Sequence, residues 1–194
     1  MDDFWFYIKL GLEHVLDFRA YDHILFLAAL AVPFSFKQWK QVVILATVFT
    51  VAHCTSLALS AYDILKVDVG LIEFLIPVTI ALTALFNVYR ALKDRGHTGI
   101  FFTGLATAFF GLIHGFGFSN YFNMLMAEEE QKLLPLLGFA TGIEFSQVAI
   151  ILLMLLVAWL VQDVLGLNKK YFILTTSILI VLITIPMLMD TFPF

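Results

Sequence analysis

Long apolar runs separated by short polar stretches organise this chain. A helix needs about 20 mostly apolar residues to cross the hydrocarbon core of a bilayer. Six segments approach that length: residues 22 to 36, 41 to 61, 70 to 91, 98 to 119, 134 to 162 and 171 to 190. The first is short by itself. Before it, residues 4 to 17 carry Phe4, Trp5, Tyr7, Ile8, Leu12, Val15 and Leu16, which read as an interfacial or partly inserted helix. Phe4, Trp5 and Tyr7 suit the aromatic belt of a membrane surface. The polar stretches FKQWK, YDILKVD, ALKDRGHT, MAEEEQKLL and GLNKK leave no room for a soluble domain. The pattern therefore predicts an all-α integral membrane protein of about six transmembrane helices plus a short N-terminal helix, as one polytopic domain over residues 1–194.

Composition agrees with the pattern. Of the 194 residues, 61% are apolar and 13% charged, whereas soluble domains sit near 45–50% and 25%. The net charge of −4 leaves no basic patch of the size nucleic acid requires. A single cysteine, Cys54, excludes an internal disulfide. The opening MDDFWFYIKL lacks the positive n-region and small-residue cleavage site of a signal peptide, so the first segment is expected to be retained.

Basic residues divide unequally between the two sides. Lys37, Lys40, Arg90, Lys93, Arg95, Lys169 and Lys170 fall on one, and Lys9, Arg19, Lys66 and Lys132 on the other. The richer side is expected to be cytoplasmic. Both termini then face outward, towards the periplasm in a Gram-negative cell.

Ionisable groups at bilayer depth cost roughly 2.5 to 3.5 kcal/mol each and need a partner or a task. They are Asp22, His23, His53, Glu73, His114 and Glu144, with Gln147 beside the last. On the expected topology all lie in the outer half: Asp22, His23 and Glu73 near the outer ends of their helices, the others within about 15 Å of theirs. Three histidines and three carboxylates at one depth suggest a single polar site. Imidazole with carboxylate suits a divalent transition metal, and the near absence of thiols argues against Cu(I). Cys54 points about 100° away from His53 on a helix and reads as a packing residue.

Two local features accompany these groups. Pro77 stands four residues after Glu73 and removes the donor that would bond the Glu73 carbonyl, as in the discontinuous helices of transporters. Gly111 and Gly115 bracket His114, and Gly138 and Gly142 precede Glu144. Such spacing permits close helix approach, and the fourth and fifth segments are expected to be neighbours, with His114 brought towards Glu144. Asn87 shares nearly the same face as Glu73 and either continues a polar path or bonds another helix. Thr47, Thr50 and Ser56 can bond their own backbone. His97 and the run Glu128 to Glu130 read as solvated.

Several stretches are together similar to a known family. They are His14 followed by the Asp22–His23 pair in DHILFLAAL, FTVAHCTSL around His53, IEFLIPV with Glu73, Asn87, GLIHGFGF around His114 and GFATGIEFSQ around Glu144. This set resembles the HupE/UreJ family across most of the chain. The resemblance implies a small protein of the bacterial inner membrane, a nickel or cobalt permease rather than an enzyme, with His14, Asp22, His23, Glu73 and His114 at the family's polar positions. One spacing departs from the family pattern: its first histidine stands about six and seven residues before the Asp–His pair, and His14 stands eight and nine before (22 − 14 and 23 − 14). Nine residues of unbroken helix turn by about 900° and place His14 opposite His23. Either the helix breaks within DFRAY, or Asp17 takes the place of His14.

The expected function is a divalent transition-metal permease of the nickel or cobalt type, with Ni, Co or Zn as substrate or ligand. The alternatives are an intramembrane zinc-dependent hydrolase or a metal-binding accessory membrane protein. The expected partners are the lipid bilayer and a metal ion, with no nucleic acid, and a homo-oligomer is left open.

Overall fold

The computed structural model describes residues 2–17, 21–94, 99–127, 129 and 131–193. Among these residues are seven α-helices: α1 (Asp2–Leu16), α2 (Asp22–Ala31), α3 (Trp39–Ala61), α4 (Val69–Leu92), α5 (Ile100–Leu125), α6 (Leu133–Trp159) and α7 (Lys169–Asp190). A 3-10 turn, Phe36–Gln38, leads into α3, and a π turn, Leu160–Val164, continues α6. No strand occurs among the described residues. The helices α3 to α7 are each long and apolar enough to cross a membrane. Asp68 and Asn168 cap α4 and α7, accepting from the backbone N–H of Leu71 and Lys170 at 2.8 Å each, which supplies donors at helix starts with a partner.

The two remaining helices are short. At 1.5 Å per residue, the 10 residues of α2 reach about 15 Å, half of the hydrocarbon core. Segment 22 to 36 thus does not cross alone, because its helix ends at Ala31. The outer half is supplied by α1, which runs beside α6 in the same direction: Gly138 faces Phe4 and Tyr7, and Gly142 faces Ile8 and Leu12. Ser146 Oγ, one turn further, lies 3.3 Å from the Leu12 carbonyl. Beyond the break, α2 carries on towards the opposite face. Asn87, near the end of α4, donates to the Ala29 carbonyl at 2.7 Å, and Val32 packs with Ala158 and Phe172 at the α6–α7 end. Together α1 and α2 form a sixth, interrupted crossing.

Both ends of the chain come to one face, which we call the terminal face. There the start of α4 meets the C-terminus, with the rings of Phe74 and Phe192 5.6 Å apart. At the opposite face α2, α4 and α6 end, and α3, α5 and α7 begin.

The glycine pairs permit close approach, but to partners other than those expected. A Cβ on Gly115 would stand 2.2 Å from the His53 carbonyl oxygen, and one on Gly111 2.7 Å from that of Phe49. GLIHGFGF therefore seats α5 against α3. A Cβ on Gly142 would meet the Ile8 carbonyl oxygen at 2.0 Å, which seats α6 against α1. The expected α5–α6 pairing is not formed, and His114 is not brought to Glu144. A small-residue motif marks where a helix is approached closely without naming the neighbour. Here α1 and α3 occupy the places flanking α6 and α5, and α5 and α6 meet mainly through rings such as Phe118 and Phe122 on Phe139.

Candidate metal centre

Four histidines from four helices converge where the sixth crossing is interrupted. The ring of His23, in the first turn of α2, lies 4.6 Å from that of His14 at the end of α1, 5.5 Å from His53 of α3 and 5.4 Å from His114 of α5. His14 and His53 are 5.6 Å apart. Potential ligand atoms of His14, His23 and His53 lie within 4.8 Å of one another, as do those of Asp22, His23 and His114. His23, His53 and His114 are buried and His14 is half-buried.

Hydrogen bonds orient two of these rings. Asp22 Oδ1 accepts from the His23 backbone N–H at 2.8 Å and lies 3.0 Å from its ring Nδ1. A carboxylate there places the proton on Nδ1 and leaves the Nε2 lone pair facing inward. His114 is set the opposite way. Thr79 Oγ1 donates its one proton to the Ile76 carbonyl at 2.7 Å, so at 3.0 Å it accepts from His114 Nε2–H. The His114 lone pair is then on Nδ1.

Each of the four rings keeps at least one buried nitrogen without a partner. His14 Nε2, His23 Nε2, both ring nitrogens of His53 and His114 Nδ1 are buried and make no hydrogen bond. Leaving such a group unsatisfied costs about 1–3 kcal/mol. Phenyl rings wall the cluster: Phe118 and Phe139 stack at 5.2 Å beside His14, while Phe26 and Phe49 lie 5.4 and 5.2 Å from His114. Lone pairs enclosed by phenyl rings, two of them on rings oriented by a hydrogen bond, make a donor set that could hold a borderline transition metal.

The family model described as HupE / UreJ protein matches residues 1–191. The chain belongs to the HupE/UreJ family. No curated protein and no solved structure gives a significant match. With its helices α3 to α7, this member of the HupE/UreJ family is a multi-pass membrane protein.

The spacing departure of this HupE/UreJ chain is resolved by the break. With α1 ending at Leu16 and α2 starting at Asp22, His14 and His23 need not share a helical phase, and they meet. Asp17 is exposed and stands outside both groupings. The Asp22–His23 pair, expected at the outer mouth, lies inside the bundle because α1 fills the outer half of that crossing.

Three other expected residues sit apart. Glu73 is exposed and belongs to neither grouping. Glu144 faces α3, where the hydroxyls of Thr47 and Thr50 each lie 2.6 Å from one of its carboxylate oxygens. Gln147 is buried beside it, its Oε1 3.2 Å from Thr50 Oγ1 and its Nε2 without a partner. Asn87 bonds α2, as the second of its two readings had it. Tyr7 donates to Glu129 at 3.1 Å, while Glu128, Glu130, His97, Arg19 and Arg95 lie outside the described residues.

Thr79 escaped the sequence reading. Its signal is faint: a threonine two residues past Pro77 in an otherwise apolar run.

Proposed function

We propose that the protein is a divalent transition-metal permease of nickel or cobalt type, in which His14, Asp22, His23, His53 and His114 hold the ion. One observation carries this reading: each of four converging histidines has a buried ring nitrogen without any partner, and one such nitrogen from a ring is what a metal ion takes as ligand. An ion with bonds of about 2.0–2.1 Å holds tetrahedral donors about 3.4 Å apart. Within each of the two triads, His14–His23–His53 and Asp22–His23–His114, ligand atoms already within 4.8 Å of one another reach that spacing by small side-chain movements. Asp22 supplies a negative charge, which lowers the cost of a cation at this depth.

A route towards the opposite face is offered by α3 and α6. The buried His53 and Thr50 and the exposed Thr47 follow one another at three-residue intervals along α3, a descent of about 9 Å. Glu144 and Gln147 face these threonines. Among the described residues, Lys37, Lys40, Arg90, Lys93, Lys169 and Lys170 on the opposite face against Lys9, Lys66 and Lys132 elsewhere favour it as cytoplasmic, so that an ion would pass inward from the terminal face. A bacterial inner membrane fits this reading.

Uptake into proteoliposomes of the purified protein tests it. Saturable influx of Ni²⁺ or Co²⁺ is expected, reduced to background by His114→Ala. Influx that is absent from the parent protein, or that survives His114→Ala undiminished, would overturn the reading.

A further inference from the structure

On the far side of Phe26 from the histidines lies a cavity of about 690 Å³ between α2, α4, α5 and α7. Its volume is that of a site for an organic molecule. Its walls are mainly apolar, with Phe26, Leu30 and Phe110 at the inner end and Leu82, Phe86 and Phe102 among the outer lining. The last three are exposed, so the groove opens sideways between α4 and α5 into the space the bilayer fills.

Its end at the opposite face is charged. Arg90, Lys169, Lys170 and Asp94 gather there, three cations and one anion for a net of +2. Lys170 spends its charge on Asp94 at 2.8 Å. Arg90 is half-buried, and its guanidinium lies 5.5 Å from the Phe86 ring centroid with no carboxylate in ion-pair range among the described residues. A planar, weakly hydrated cation at the end of an apolar slot matches a phosphate oxygen pair above hydrocarbon. The same excess of positive charge repels a metal ion, so the groove is not read as part of the ion route.

We propose that this groove is a binding site for an anionic phospholipid, with its phosphate at Arg90 and an acyl chain along Leu82, Phe86 and Phe102. The assignment does not depend on metal transport. Basic pockets between transmembrane helices near the cytoplasmic side recognise acidic lipid headgroups, and the lateral opening admits a chain without breaking any helix contact.

The test is retention of lipid by the purified full chain, released from mixed micelles holding equal phosphatidylglycerol and phosphatidylcholine and weighed by native mass spectrometry. Preferential retention of phosphatidylglycerol is expected. Arg90→Gln should cut that preference about five-fold, the worth of one basic residue near an acidic lipid, and Lys37→Gln, an exposed cation of the same face, should leave it unchanged. Leu82→Trp should lower retention of both lipids by filling the slot, which keeps the proposal testable if Arg90→Gln does not fold. Equal retention of the two lipids, a preference untouched by Arg90→Gln, or retention untouched by Leu82→Trp would overturn it. Loss of bound phosphatidylglycerol in inorganic phosphate would also overturn it, as the mark of a simple anion site.

Discussion

Thr79 has one proton to give and gives it to its own helix, which fixes what it asks of His114. The consequence can be measured. Thr79→Val removes the acceptor for His114 Nε2–H and frees the ring to place its proton on the inward nitrogen; affinity for Ni²⁺, read by competition with a chelator, should fall about 10–100-fold, as for other lost partners of metal-binding histidines. His53 makes the complementary case, since neither ring nitrogen has a partner. His53→Leu should raise the thermal midpoint of the metal-free protein, by the equivalent of about 1–3 kcal/mol, while abolishing ion binding. A histidine kept for packing alone would show the reverse. The ionisable members of the site were legible because charged and imidazole groups are few in these apolar runs. Thr79 was not, because a helix threonine ordinarily satisfies itself on its backbone, and only the fold reveals that it also serves the His114 ring.

Between helices, the decisive contacts are made by missing side chains. Gly142→Ala would drive a Cβ to 2.0 Å from the Ile8 carbonyl oxygen, a backbone atom that cannot step aside. The thermal midpoint in detergent should drop by the equivalent of about 1–3 kcal/mol, the usual cost of overpacking. Gly99→Ala, where nothing stands within 4 Å, should leave it unchanged. The sequence marked Gly111, Gly115, Gly138 and Gly142 as approach points and left their partners open, since spacing carries no address. The break between α1 and α2 was better written. A nine-residue gap between His14 and His23 could be reconciled with one site only by interrupting the helix or replacing the histidine, and the exposed Asp17 leaves the first.

For the whole molecule, the alternation of faces is the testable quantity. Asp63, between α3 and α4, lies at the terminal face, and Asp94, just past the end of α4, at the opposite one. In a Cys54→Ser background, Asp63→Cys should react with a membrane-impermeant maleimide on intact cells. Asp94→Cys should react only after the membrane is opened. Five crossings could be counted from hydropathy, because each is a long uninterrupted run. The sixth is fainter, residues 22 to 36 being short by themselves after an interfacial or partly inserted helix over 4 to 17, because α2 is half a bilayer long and α1 carries Lys9, Glu13 and His14 on a helix whose buried side is only one stripe.

That interruption also divides the loyalties of the chain. The half ending in His14 is seated on α6 by its glycines, and the half beginning with Asp22 and His23 is tied to α4 through Asn87 and the Ala29 carbonyl. A slight shear between these two neighbours would separate His14 from His23 without bending a helix. An ion held by both would act as a stitch across the seam, so that the cargo itself decides when the two halves of the crossing move as one.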